Sequence, residues 1–248
     1  MSKFDDFAAL HVAGDPLVLF NIWDPGSAIA VAKSGAKAIA TGSASVSMAS
    51  GVGDGQEVPL DLALANAERI AKAIELPLTV DFEGGYATDA DGLAANGRRL
   101  TMTGAIGCNF EDQIVGSDRL YDIDEQGERI AALRAGVGDA FFINARTDIF
   151  LKAPASAHDS ALADQAIERG RAYADAGING YFIPGLADLT LVETICRAVN
   201  VPVNAMHLPN GPSRAEWASA GIARVSHGPF PYMDLMTKFE ELAREAIA

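Results

Sequence analysis

Short apolar runs alternate with amphipathic stretches along the whole chain. Strand-length runs occupy Leu17–Trp23, Ala38–Gly42, Leu78–Glu83, Ala105–Glu111, Phe141–Arg146, Gly180–Ile183, Val201–Met206 and Arg224–His227. Helical periodicity follows each of them, at 25–34, 59–75, 89–103, 122–136, 158–177, 187–199, 212–220 and 231–247. Runs this short read as strands rather than helices, and near-continuous apolar character suits parallel strands covered on both faces. Eight strand-then-helix units without a long interruption predict a single α/β domain over residues 1–248, a (β/α)8 TIM-type barrel. An open doubly wound sheet would need fewer units or an added domain. No linker, low-complexity tract or antiparallel insertion breaks the pattern.

Composition narrows the picture. The 248 residues exceed most single domains, but α/β barrels run this long as one unit. An apolar content of 49% and 24 glycines suit a large core with many tight connections. The net charge of −14 argues against nucleic acid or an anionic membrane as partner, since both need a basic face. Small anionic substrates stay open, because they respond to the local field of a pocket. Cys108 and Cys196 lie in apolar surroundings and form no disulfide framework. The start, Met1-Ser-Lys-Phe-Asp-Asp-Phe7, lacks the basic-then-apolar pattern of a secretory signal. No stretch approaches the length of a membrane span. A cytoplasmic protein is expected.

In such a barrel the chemistry sits at the C-terminal ends of the strands, and polar residues collect there. Asp81 and Glu83 close the third strand two positions apart, so in extended backbone both carboxylates project together while Phe82 points away. Two like charges on an apolar strand end repel and lose hydration. A hard divalent cation relieves this; solvation, or pairing with arginine, would relieve it too. Asn109, Glu111 and Asp112 end the fourth strand, and Asn144, Arg146 and Asp148 the fifth. Thr41, Gly42 and Ser43 follow the second, Asn204 and His207 the seventh, Ser226 and His227 the eighth. Asp24 before Pro25 has the form of a helix N-cap.

These segments resemble the isocitrate lyase and phosphoenolpyruvate mutase superfamily over nearly the whole chain. The resemblance is carried by Asn21-Ile-Trp-Asp-Pro-Gly-Ser-Ala28, Ala38-Ile-Ala-Thr-Gly-Ser43, Val80-Asp-Phe-Glu-Gly-Gly-Tyr86, Gly107-Cys-Asn-Phe-Glu-Asp-Gln113 and Ile143-Asn-Ala-Arg-Thr-Asp148. Arg171-Ala-Tyr-Ala-Asp-Ala-Gly177 and Phe182-Ile-Pro-Gly185 extend it. It implies a barrel whose helix after strand eight is exchanged between subunits, giving a homodimer or homotetramer. It also implies Mg2+, with Mn2+ as an alternative, chelated by a small 2-oxo or 2-hydroxy acid. Asp81 resembles the direct metal ligand, with Glu83 and Glu111 acting mostly through water. Asp54 resembles the acid that holds the metal's water network. Arg146 resembles the residue that grips substrate oxygen, and the amides of Ser43 and Ala44 would receive a carboxylate. Trp23 and Asn204 complete the implied substrate contacts.

The loop after the fourth strand departs from the family. The carbon–carbon lyases carry a cysteine there as proton donor, but Glu111-Asp-Gln-Ile-Val-Gly-Ser-Asp-Arg-Leu-Tyr121 contains neither cysteine nor histidine. Phosphonate-cleaving members place lysine and asparagine in this loop, where the present chain has Ser117 and Arg119, and a histidine where it has Pro184. Cys108 and Cys196 read as packing residues. His207 and His227 are the remaining acid–base candidates, since imidazole titrates near neutrality. The expected activity is therefore a Mg2+-dependent lyase forming a pyruvate-type enolate, as in oxaloacetate decarboxylation. Phosphonopyruvate hydrolysis or phosphoenolpyruvate mutase chemistry is the alternative enzyme reading. A barrel that binds a 2-oxo acid without turnover is the alternative from another class.

Overall fold

In the computed structural model, which describes residues 2–248, eight strands alternate with helices. The strands are β1 (Leu17–Leu19), β2 (Ile39–Ala40), β3 (Leu78–Asp81), β4 (Gly107–Glu111), β5 (Phe142–Arg146), β6 (Gly180–Phe182), β7 (Val203–Met206) and β8 (Arg224–Ser226). All pair in parallel, in the order β1-β8-β7-β6-β5-β4-β3-β2. A parallel bridge from Ile22 to Thr41 joins the two ends and closes the barrel. The helices are α1 (Lys3–Ala9), α2 (Pro25–Lys33), α3 (Ser43–Ala49), α4 (Leu60–Ala73), α5 (Ala90–Thr101), α6 (Ile123–Val137), α7 (Ile149–Lys152), α8 (Ser160–Asp175), α9 (Leu189–Ala198), α10 (Arg214–Ser219) and α11 (Phe230–Ile247).

Every predicted strand and helix has an observed counterpart, and the barrel architecture is the expected one. Three short helices were not anticipated, because four to seven residues are too few to establish a period. One of them, α1, starts at a capping box in which the Ser2 hydroxyl accepts from the Asp5 N–H and the Asp5 carboxylate accepts from the Ser2 N–H. Asp24 caps α2 as expected, accepting from the Ser27 N–H at 2.7 Å.

Alternation along the strands divides the interior. On β4, Cys108 and Phe110 join the layer packed against the outer helices, while Asn109 and Glu111 bond to groups on neighbouring strands. The barrel floor is apolar: Leu17, Leu19, Ala38, Ala40 and Phe142 meet Phe7 of α1. Above that floor the barrel's interior is polar.

The last helix stands apart. Of α11 only Pro231 is buried, while Phe239 is 62% and Leu242 53% exposed, with Met233, Leu235 and Met236 beside them. A cavity of about 820 Å³ lies away from the strand ends. It is a groove lined by Leu10, Val12, Leu17, Phe20, Ala30 and Val31, among others, with Arg214 at its rim. That is the flank of β1 and α2 where a barrel's eighth helix would pack. Among the described residues no helix is long and apolar enough to cross a membrane.

Candidate active site

The site is built from two turns and three strand ends. β3 stops at Asp81 because the chain then turns left-handed: Glu83 has φ +50°, Gly85 +79° and Tyr86 +57°. Extended backbone cannot continue through such angles. Glu83 therefore reaches the site from a turn and not, as strand alternation suggested, from the strand itself. Gly85 is required there twice over, since a Cβ would also meet the Leu93 side chain at 2.6 Å. A further left-handed residue, Gln56 at +63°, lies in the connection from α3 to α4. Its N–H donates to Glu83 Oε2 at 2.6 Å, its Oε1 accepts from the Tyr86 N–H at 2.6 Å, and the Tyr86 hydroxyl donates to Glu83 Oε1 at 3.1 Å. This interlock offsets the backbone strain and brings the Asp54 loop against the β3 turn.

Asp81 is held from two sides. Its Oδ2 accepts from the Ser43 hydroxyl at 2.9 Å and the Ser43 N–H at 3.1 Å, and its Oδ1 accepts from Asn109 Nδ2 at 3.3 Å. Oδ2 is fully engaged by its two donors, while Oδ1 keeps a lone pair for a further partner. Arg146 is clamped: Nε and Nη2 donate to Asp148 at 2.5 and 2.9 Å, and Nη1 pairs with Glu111 at 3.1 Å. The guanidinium remains 17% exposed, and Nη1 and Nη2 each keep one N–H for another acceptor.

Electrostatics show that the acids crowd together. Burial, then the Asp81 and Asp54 charges, push Glu83 up to about 7. Burial and Asp81 raise Asp54. Glu111 is raised by burial, against the pull of Arg146. Burial works against the Arg146 cation, but Glu111, Asp148 and Asp81 outweigh it and hold its pKa above the ordinary range. One guanidinium thus stands among more carboxylates than it neutralises.

This donor set fits a hard divalent cation, being all oxygen with excess negative charge. Among the described residues no three His, Cys, Asp or Glu side chains are close enough to share a metal directly. A Mg2+ here would take few protein oxygens, Asp81 foremost, and keep water and substrate oxygens for the rest, as that ion prefers.

The other predicted residues have partners of their own. Ala44 sits half-buried in the first turn of α3, and the Ser43 amide is engaged by Asp81. The Asn204 side-chain amide faces Ser226, at 3.2 and 3.4 Å. The Trp23 ring packs edge-on against Tyr232, with centroids 5.0 Å apart. His207 and His227 stack on each other at 4.4 Å; burial, then His207, lowers His227 to about 4, so it is neutral at pH 7. Cys108 is fully buried and burial raises its thiol, while burial pushes Cys196 up to about 12. Both thiols are packing residues.

Sequence reading missed Gln56, Tyr86 and Arg224. Tyr86 had a signal, an aromatic just past a glycine pair at a strand end. Arg224 had one too, a charge two positions before Ser226 on an inward-facing strand. Gln56 had none.

Acids and an arginine gathered over the C-terminal ends of a closed parallel barrel define an α/β-barrel enzyme. The chain belongs to the phosphoenolpyruvate phosphomutase family, whose model matches residues 7–247. A phosphonomutase-like protein of Burkholderia cenocepacia has a crystal structure that superposes with a TM-score of 0.95, at 44% identity over 98% of both chains. A Mycobacterium tuberculosis protein is 32% identical over 91% of this chain and 83% of its own. The 2-methylisocitrate lyase of Escherichia coli is 31% identical over 80% of this chain and 68% of its own. More distant matches include oxaloacetate decarboxylases and, by fold alone, a phosphonopyruvate hydrolase solved with oxalate and Mg2+.

Proposed function

We propose that the protein is a Mg2+-dependent lyase acting on a small 2-oxo or 2-hydroxy dicarboxylic acid, with oxaloacetate decarboxylation as the concrete case. One observation carries this reading: Asp54, Glu83 and Glu111 crowd on Asp81, beside the clamped guanidinium of Arg146. The excess negative charge asks for a cation, and the two N–H groups left on Arg146 ask for an anion. Kinship with 2-methylisocitrate lyase and oxaloacetate decarboxylases supports the same class.

Bound Mg2+ would supply a Lewis acid for the charge that grows on the substrate's carbonyl oxygen. Arg146 offers a planar donor edge to a carboxylate or carbonyl oxygen, pre-set by Asp148 and Glu111, so little reorganises as charge builds. In decarboxylation the bond from C3 to its carboxylate breaks and carbon dioxide leaves. The electron pair stays behind as a pyruvate-type enolate, which takes a proton from solvent. This outcome suits a loop that lacks the cysteine used by the carbon–carbon lyases. Pyruvate formation from a panel of 2-oxo and 2-hydroxy acids, with and without EDTA, tests the reading. No metal-dependent turnover of any of them would overturn it.

Phosphorus–carbon chemistry is the second reading, favoured by the family match and the Burkholderia relative. Ser117 and Arg119 in place of lysine and asparagine weigh against it. Phosphonopyruvate assayed for phosphate release or isomerisation separates the two. Oxalate binding with no turnover of either class would leave a binding barrel.

The same family kinship supports a cytoplasmic homodimer or homotetramer in which α11 of one copy fills the β1–α2 groove of another. The bare apolar face of α11 and the empty groove complement each other in kind. Each large side chain buried there contributes about 1.5–3 kcal/mol. Light scattering checks this: Phe239→Glu with Leu242→Glu should yield monomers.

A further inference from the structure

Deep in the barrel lies a charged residue that the proposed chemistry does not use. Arg224, on β8, is fully buried and has no carboxylate in contact. Its Nε donates to Ser226 Oγ at 3.2 Å, and its Nη2 crosses the barrel to donate to Asn109 Oδ1 on β4 at 3.1 Å. β8 and β4 are four strands apart in the ring, so the side chain spans the axis. Nη1 has no hydrogen-bond partner among the described residues. Gly180 makes room beside this chain of polar groups, because a Cβ there would meet Asn144 Oδ1 at 2.7 Å.

Stability alone does not explain such a residue. A buried cation with no directly paired anion is costly, and an apolar side chain of similar volume commonly does as well or better. Burial lowers the guanidinium to about 9, so it is still charged at neutral pH, and Asp81 is the first countercharge acting on it. The two do not touch. Asn109 stands between them, taking Arg224 on its oxygen and giving its amide to Asp81 Oδ1 at 3.3 Å.

An asparagine amide can flip, and the two orientations would do opposite things to Asp81. With nitrogen upward it donates to the carboxylate; with oxygen upward it repels it. Guanidinium has donors and no acceptor, so an arginine below admits only the asparagine oxygen. Asn144 Nδ2 adds a second donor to the same oxygen at 2.9 Å. We propose that Arg224 is a positioning residue for the metal site, acting through Asn109: it locks the Asn109 amide so that Asp81 is held with the remaining lone pair of Oδ1 toward the cation. The inference rests on the reading of Asp81 as the metal-binding carboxylate, and it concerns a residue on the far wall of the barrel.

The test is Mn2+ binding, followed by electron paramagnetic resonance of the free ion, on wild type, Arg224→Met, Arg224→Lys and Asp81→Ala. Arg224→Met should weaken Mn2+ at least about tenfold, the size expected when a group supporting a ligand is removed. Its melting temperature should be unchanged or higher. Arg224→Lys, which keeps a donor, should recover part of the affinity. In turnover assays the Mg2+ needed for half-maximal rate should rise in Arg224→Met while kcat at saturating metal stays near wild type. Wild-type Mn2+ affinity in a folded Arg224→Met protein would overturn the proposal. Should that variant not fold, Asn109→Leu cuts the same relay at its other link, and unchanged affinity there overturns it equally. If Asp81→Ala binds Mn2+ as tightly as wild type, the underlying metal reading fails instead.

Discussion

Glu111 and Asp112 are neighbours in the chain, and they belong to two acid–arginine clusters with opposite characters. Glu111 faces the mouth, where it shares Arg146 with Asp148 beside Asp81 and Glu83. Asp112 is wholly buried behind it. There its Oδ1 accepts from the Asp148 N–H at 2.9 Å, and its Oδ2 from Arg169 Nη1 at 3.1 Å and the Tyr173 hydroxyl at 2.9 Å. The rear cluster is satisfied: one acid meets one arginine and further donors, and α8 is pinned to the ends of β4 and β5. The front cluster carries more negative charge than its arginine cancels. A buried set that balances holds structure together, while a set that does not balance is waiting for a ligand. Burial and residue type are alike in both; the charge count separates them.

The sharpest way to break this contrast is Asp81→Ala. Metal-dependent turnover should fall at least about a thousandfold, while the melting temperature holds or rises because a repelling charge is gone. Turnover that survived would strip the front cluster of its function. Asp112→Ala should do the reverse, lowering stability by about 3 kcal/mol in urea titration, since Arg169 and the Asp148 N–H lose their acceptor. Loss of activity in that variant without loss of stability would erase the distinction between the clusters.

Acidity offers a smaller test. Folding raises Glu83 from the ordinary 4.5 to about 7. Its stabilising contribution is therefore complete below the unfolded value and is lost as pH climbs through the folded one. Metal-free protein in EDTA should lose about 2 kcal/mol between roughly pH 5 and pH 8, and Glu83→Gln should flatten that slope. Stability that rose over the same window would contradict the crowding of acids at the mouth. Smallest of all, Tyr173→Phe removes one donor from the rear cluster and should cost about 1 kcal/mol, with kcat/KM unchanged.

Much of the front cluster was legible in the sequence because its members end strands, and strand ends announce themselves by a change from apolar to polar residues. Asp81, Glu111 and Arg146 were found this way. Asp54 and Glu83 were found as well, although Glu83 sits in a left-handed turn rather than on the strand that led to it. What ties them together was not legible. Gln56 bonds to a turn 27 residues further on and Arg224 to an asparagine 115 residues back, and no local pattern encodes either contact.

The sequence by itself determined the eight-fold alternation, and with it the barrel and the end at which the acids gather, because hydrophobic period and turn residues are local properties. Only the tertiary structure decided which of two adjacent acids faces the mouth, how many charges meet there, and which buried cation reaches across to steady them. Closure of the ring fixes those distances, and closure depends on all eight strands at once.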